Sequence, residues 1–216
     1  MERRKFLKAG VAGLASAFAH SNALAWSLGN KKPYTEYDRD VCYKLNGLKD
    51  YNTGEPFTQD GFVIAYFTTP YRAYQGCVTD ALNIYAQKEM AERLLDNKVD
   101  ILPVLIISPL EAGDPYPSFA KSYTDEKGGN VNFIGLTGDK DTILKTAQNY
   151  RSAFEVDRHT KKVIGHNRSV VLISPDGELL TKFPPNQLDK MAKDMALEIF
   201  NYNSDDIKPA RGCSFD

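Results

Sequence analysis

Two apolar runs separated by a helix-length segment constrain the fold of this chain more than any other feature. The runs read FVIAYFT (residues 62–68) and ILPVLIIS (residues 101–108), and both are rich in residues that favour β-strands. A continuous apolar run is typical of a strand that is buried on both faces in a parallel sheet. The segment between them, residues 79–98, has the apolar spacing of a helix. The sequence therefore predicts a β-α-β unit around a parallel sheet.

The remaining segments extend this unit into a mixed sheet. Residues 168–183 contain two apolar stretches around Pro175-Asp176-Gly177, which predicts a hairpin of antiparallel strands. Helices are predicted over residues 139–154 and 186–202. Further short elements are predicted as strands near residues 41–45 and 131–138 and as a helix at residues 117–123. The fold class is therefore α/β and thioredoxin-like, with a central mixed sheet flanked by helices.

The first residues have the layout of an export signal. Arg3 and Arg4 stand in RRKFLK, a short stretch rich in alanine and glycine follows, and Ala23 to Ala25 form a small-x-small cleavage site. The paired arginines resemble a twin-arginine signal. We expect the following division: 1–25 a twin-arginine-type signal peptide, 26–60 an extended segment, 61–203 the thioredoxin-like domain, and 204–216 a tail. The mature protein is then periplasmic or otherwise exported.

Charge and cysteine content limit the partners. The chain has 216 residues and a formal net charge of -1, which gives no electrostatic footprint for nucleic acid or an anionic membrane. Membrane contact is therefore expected only during export. Three cysteines are present, Cys42, Cys77 and Cys213, and an odd number leaves at least one outside an intramolecular disulfide. Either Cys42 and Cys213 form a disulfide that holds the C-terminal tail, or neither cysteine has a functional role.

Cys77 and His166 are the candidate site residues. Cys77 stands between the first apolar run and the helix, where the helix dipole and free amides favour the thiolate. His166 and His159 lie in the loop before the hairpin, and the two loops face each other at one end of such a sheet. A thiolate and an imidazole suit a soft metal such as copper or an acid-base-assisted thiol reaction. His159 is expected to be a solvated loop residue and Met90 a core residue.

The chain resembles the Sco/SenC family of copper-binding assembly proteins from about Phe62 to Phe200. Family members have a strand, then F-x-Y-T-x-C-P-x-x-C-P-T, then a helix; YFTTPYRAYQGCVTDAL stands in that place, with Cys77 at the second cysteine. FIGLTGDKDTI matches the family's GLTG segment, and ISPLEAGDP retains Ser108 and Asp114 of the family's S-x-D-P-x-R-D-T-P. The family's ligand histidine stands nine residues before the proline of a D-P-x-G turn, as His166 stands before Pro175.

This resemblance implies copper binding and a role in assembling a copper enzyme such as a respiratory oxidase. It implies Cys77 and His166 as the protein ligands and an assembly factor rather than an enzyme, so no catalytic residue is assigned. Ala73 stands where the family has its first cysteine, so one thiolate of the family's site is missing. The candidates for a third ligand are water, Tyr71, His159 and Cys213.

Two other functions stay open at this point. The first is a single-cysteine thiol oxidoreductase or peroxidase with Cys77 as nucleophile, although Tyr74 stands where a peroxiredoxin has threonine. The second is a partner-binding relative whose metal site has decayed. A dithiol cycle within the loop is excluded, because Cys77 is its single cysteine.

We predict that replacing Arg3 and Arg4 by lysine traps the precursor in the cytoplasm, because a twin-arginine signal is read through its arginine pair. Cell fractionation and the N-terminal sequence of the exported protein measure this, with Trp26 expected as the first residue. Lys5→Arg is the matched control, since it leaves the pair intact. Unchanged export and processing of the double variant would contradict the prediction.

Overall fold

The computed structural model of the chain describes residues 43–69, 75–108, 133–160 and 163–204. The strands are β1 (Lys49–Asp50), β2 (Phe62–Thr68), β3 (Ile101–Ile107), β4 (Ile134–Thr137), β5 (Phe154–Val156), β6 (Val163–His166), β7 (Val170–Ile173) and β8 (Leu179–Phe183). The helices are α1 (Gln75–Leu94), α2 (Lys140–Asn149) and α3 (Met191–Asn203). None of the helices in these ranges is long and apolar enough to cross a membrane.

A six-stranded mixed sheet forms the centre of the fold, in the order β1-β4-β3-β2-β7-β8. β2 pairs in parallel with β3, with Phe62 opposite Ile101, and antiparallel with β7, with Val63 opposite Ile173. β4 continues the parallel part, whereas β1 and β8 add antiparallel edges. This arrangement confirms the α/β class, the central mixed sheet and the hairpin that the sequence predicts.

Both faces of the central strand are covered, which explains its continuous apolar run. All seven residues of β2 are buried. Phe62, Ile64 and Tyr66 face a cluster built with α1 and α3. The alternate residues face a second cluster built with α2, β5 and β6: Val63, Ala65 and Phe67.

Local structure differs from the predictions at several points. Leu45–Gly47 is a 3-10 helix and the edge strand is Lys49–Asp50, so the strand predicted near residues 41–45 is wrong for the described residues 43–45. The helix predicted over residues 139–154 ends at Asn149 in α2. β5 and β6 pair with each other where the sequence predicts the end of that helix and a loop. α1 begins at Gln75 rather than near Thr79, which places Cys77 inside the helix.

Met90 is not a core residue, because it is 51% exposed. The buried side of α1 is formed instead by small and branched residues, among them Ala81, Ile84 and Ala91. Apolar spacing alone overestimated the width of the buried stripe on this helix. The predicted helix at 117–123 lies outside the described residues.

The turn between β7 and β8 requires glycine at Gly177. This residue has a φ of +87°, and its N–H donates to the Ser174 carbonyl over 2.9 Å. The Gly177 carbonyl accepts the N–H of Tyr43 over 3.0 Å and the buried Tyr150 hydroxyl over 3.4 Å. A Cβ atom at Gly177 would lie 2.6 Å from the backbone carbon of Tyr43. The turn therefore fixes the segment that leads into the sheet.

We predict that Gly177→Ala lowers the free energy of unfolding by about 2–4 kcal/mol, because it combines left-handed strain with a backbone clash. Gly54→Ala is the matched control: Gly54 has a φ of +75° but nothing within 4 Å of its would-be Cβ. We expect that control to cost about 1–2 kcal/mol. Urea denaturation measures both, and equal losses would contradict the close contact at Gly177.

Candidate functional site

The first turn of α1 carries Cys77. Cys77 lies near the beginning of this helix, Gln75–Leu94. The positive end of the helix dipole lies at the same place. Asp80 follows one turn later, and helix residues three apart are neighbours on the helix surface. The contacts of Asp80 therefore describe the environment near the beginning of α1.

Asp80 is a buried carboxylate, 5% exposed, with three hydrogen-bond donors. The Arg168 guanidinium donates from Nε to Oδ2 over 2.7 Å and from Nη2 to Oδ1 over 2.6 Å. The hydroxyl of Tyr66, on β2, donates to Oδ2 over 3.0 Å. A buried carboxylate is stable only when it is paired in this way. The hydrogen bond to Asp80 also raises the pKa of Arg168, so the guanidinium stays charged.

His166 is the last residue of β6 and lies two residues before Arg168. Its Nδ1 accepts the backbone N–H of Arg168 over 3.1 Å. Its ring packs edge-on against Tyr66, with 5.9 Å between the ring centroids. In β5, Phe154 is its strand partner. The same turn thus holds His166 and, through Arg168, contacts the start of α1.

The environment of His166 favours the neutral imidazole. Burial lowers the pKa of His166 to about 4, and the Arg168 charge acts in the same direction while Asp80 opposes it. At neutral pH the ring is therefore uncharged and retains a lone pair, which is the form that binds metals.

Three buried hydroxyls lie where β2 and β3 end. The hydroxyls of Thr68, Thr69 and Ser108 have no hydrogen-bond partner among the described residues. Ser108 donates its backbone N–H to the Thr68 carbonyl over 2.9 Å, so the two strand ends are adjacent. Ligands of open α/β sheets bind at the carboxyl ends of the strands. Within the described residues, that edge of the sheet therefore has three buried hydroxyls that could form further hydrogen bonds.

The structure brings His166 and the helix turn of Cys77 to one network through Asp80 and Arg168. The approach of the Cys77 sulfur to the His166 ring stays a prediction. His159 is exposed, as expected, and its backbone N–H donates to Asp157 over 3.0 Å. Within the described ranges, no group of three or more His, Cys, Asp or Glu side chains could hold a metal ion. Further candidates lie outside the described residues: Cys42, Tyr71, Ala73, Tyr74, Asp114 and Cys213.

Sequence reasoning missed the three residues that connect the site. These residues are Asp80, Tyr66 and Arg168. Two signals were present: an acid one helical turn after Cys77 and a cation two residues after His166. Their pairing is not visible in the sequence, because 88 residues separate Asp80 from Arg168.

Comparison with known proteins found a family model and solved structures that the chain resembles. Residues 117–201 match the SCO1/SenC family model. ScoI of Arabidopsis thaliana, solved with copper bound, superposes with a TM-score of 0.56 at 19% identity over 74% of this chain and 100% of that one. A SCO1/SenC family lipoprotein of Bacillus anthracis gives 0.55 at 20% identity over 74% and 96%. BsSco, described as a member of the Sco family of cytochrome c oxidase assembly proteins, gives 0.54 at 15% over 78% and 96%. No curated protein matches the sequence.

We predict that acid destabilises the protein through His166. Above pH 6.5 the ring is neutral whether the chain is folded or unfolded; below it, the unfolded chain takes up a proton that the folded chain accepts only near pH 4. Stability contributed by the buried neutral ring is thus present above pH 6.5 and lost as the pH falls.

Urea denaturation between pH 7 and pH 4 measures this loss. We expect the wild type to lose roughly 1–2 kcal/mol more than His166→Gln over that range, since partial exposure reduces the full linkage value. His159→Gln, which removes an exposed histidine of the same segment, is the matched control. Parallel curves for the wild type and His166→Gln would contradict the prediction.

Proposed function

We propose that the chain is a SCO1/SenC family member that binds copper through Cys77 and His166 and delivers it during assembly of a copper enzyme. The family-model match over residues 117–201 supports this proposal. One observation carries the proposal for these two residues. The Asp80–Arg168 ion pair ties the turn that holds His166 to the beginning of the helix that holds Cys77. The two ligand candidates come from segments far apart in sequence, and the buried pair is the physical link between those segments.

The donor set fits copper. A thiolate selects Cu(I) and an imidazole binds copper in either common oxidation state. The helix start favours the thiolate form of a cysteine near the beginning of a helix. His166 supplies a neutral ring at pH 7. With two protein donors, a further position is left for water, Tyr71, His159 or Cys213, and an open position favours transfer of the metal to another protein.

The place of action and the partner follow from the same proposal. The signal layout of residues 1–25 supports export of the mature protein, so copper is handled in the periplasm or an equivalent compartment. The client is a copper enzyme such as a respiratory oxidase. Near-neutral net charge supports recognition by shape and local contacts rather than by a charged surface.

A thiol oxidoreductase is the second candidate, and the position of Cys77 near the beginning of α1 favours it. A helix start stabilises a thiolate nucleophile as well as it favours a thiolate metal ligand. The Cys77 thiolate would attack one peroxide oxygen, forming an S–O bond as the O–O bond breaks and the leaving oxygen takes a proton. A thiol reductant would then return the resulting sulfenic acid to the thiol.

We predict that Cys77→Ser and His166→Ala each weaken Cu(I) binding by more than about 100-fold, because loss of supporting residues alone costs 10–100-fold at metal sites. Ala73→Cys should tighten binding by restoring the missing thiolate. Titration against a competing Cu(I) chelator measures all three variants. His159→Ala is the control that tests whether that histidine supplies the third ligand.

Wild-type protein that binds no Cu(I), with Cys77→Ser unchanged, would overturn the copper proposal. Peroxide consumption with a thiol reductant then separates the remaining functions. Turnover that disappears in Cys77→Ser identifies an oxidoreductase, and absence of turnover leaves a partner-binding relative with a decayed site.

A further inference from the structure

We propose that Arg168 is a positioning residue that latches His166 in the metal-free protein, through a backbone hydrogen bond that has to open when copper binds. The proposal rests on the proposed copper function and deepens it. It concerns the N–H of Arg168 rather than its charge. Asp80 supplies the other half of the device, since it fixes the Arg168 side chain and thereby the turn.

The backbone of Arg168 is held in an unfavourable conformation that directs its N–H to the ring. Its φ is +50°, in the left-handed region that residues with a Cβ atom rarely adopt. Such strain persists where surrounding contacts compensate for it. Here the compensating contacts are the bidentate bond to Asp80 and the bond from the Arg168 N–H to His166 Nδ1, 3.1 Å long.

Neighbouring bonds keep this turn in register with the sheet. Phe67 donates its backbone N–H to the Ser169 carbonyl over 3.3 Å, and Asn167 donates to the Ala153 carbonyl over 3.1 Å. The turn is therefore anchored on both sides of Arg168. Opening of the Arg168 N–H bond does not require either of these two bonds to break.

The chemistry of imidazole makes this bond incompatible with a copper-bound ring. A neutral imidazole carries one proton and one lone pair in the ring plane. Because Nδ1 accepts the Arg168 N–H, the proton is on Nε2. Copper at Nδ1 would displace the N–H directly. Copper at Nε2 would require the ring proton to move to Nδ1, where it would oppose the same N–H. Either nitrogen can take copper only after the latch opens.

Cu(I) is diamagnetic, so NMR of the full mature chain tests the latch directly. In the metal-free protein we expect the Nδ1 resonance of an unprotonated acceptor and slow exchange of the Arg168 amide. On Cu(I) loading, the Arg168 amide should lose its protection by about tenfold or more, as expected when one hydrogen bond opens. The Asn167 amide is the internal control and should stay protected, since its acceptor is the Ala153 carbonyl.

The outcomes separate this proposal from the copper function itself. A change at the ring nitrogens with an unaltered Arg168 amide refutes the latch and leaves copper binding intact. No change at either place refutes copper binding through His166 and the latch together.

A pair of variants tests the same bond through affinity. Arg168→Gly and Arg168→Ala both lack the guanidinium, but glycine tolerates the left-handed conformation and alanine opposes it. The latch is therefore weaker in the alanine variant, and we expect that variant to bind Cu(I) severalfold more tightly than the glycine variant. The reverse order, in proteins of comparable melting temperature, would overturn the proposal. The amide measurement on the wild type stands even if one variant does not fold.

Discussion

The buried ion pair between Asp80 and Arg168 is the interaction on which the candidate site depends. It joins α1 to the turn between β6 and β7, and Tyr66 adds a contact from the central strand. Asp80 is almost fully buried, whereas the Arg168 side chain is 44% exposed, so the desolvated partner is the carboxylate. Loss of the cation would leave that carboxylate buried with one neutral donor, which is strongly unfavourable. The geometry of the turn is therefore coupled to the stability of the core.

The same ion pair sets the electrostatics of the proposed site. Because Asp80 and Arg168 neutralise each other, the helix dipole is the feature that favours negative charge at the beginning of α1. His166, which burial keeps neutral at pH 7, would join the proposed copper site once its contact with the Arg168 N–H opens. Copper transfer requires binding that is strong enough to load and weak enough to release, and the proposed two-donor site with a competing hydrogen bond would have that character.

Some of the fold was predictable because local sequence and tertiary position agree. The runs at β2 and β3 are apolar throughout, and strands buried on both faces need that composition. The Pro-Asp-Gly turn between β7 and β8 was predictable because the left-handed Gly177 is a local requirement. β5 and β6 were not predicted, since they have three and four residues and pair only with each other. Met90 was misplaced because apolar character does not reveal which side of a helix the sheet covers.

By itself, the sequence determined the buried strands β2 and β3, the hairpin of β7 and β8, and the choice of Cys77 and His166 as candidate ligands, because residue type and spacing along the chain carry that information. The tertiary structure alone decided how these residues are supported. Asp80, Tyr66 and Arg168 have ordinary local contexts, and their partners lie up to 88 residues away in sequence. The strained backbone of Arg168 and its bond to the His166 ring likewise follow from how the turn is anchored to α1 and β2. Contacts of this kind depend on which elements pack together, and local composition does not encode that choice.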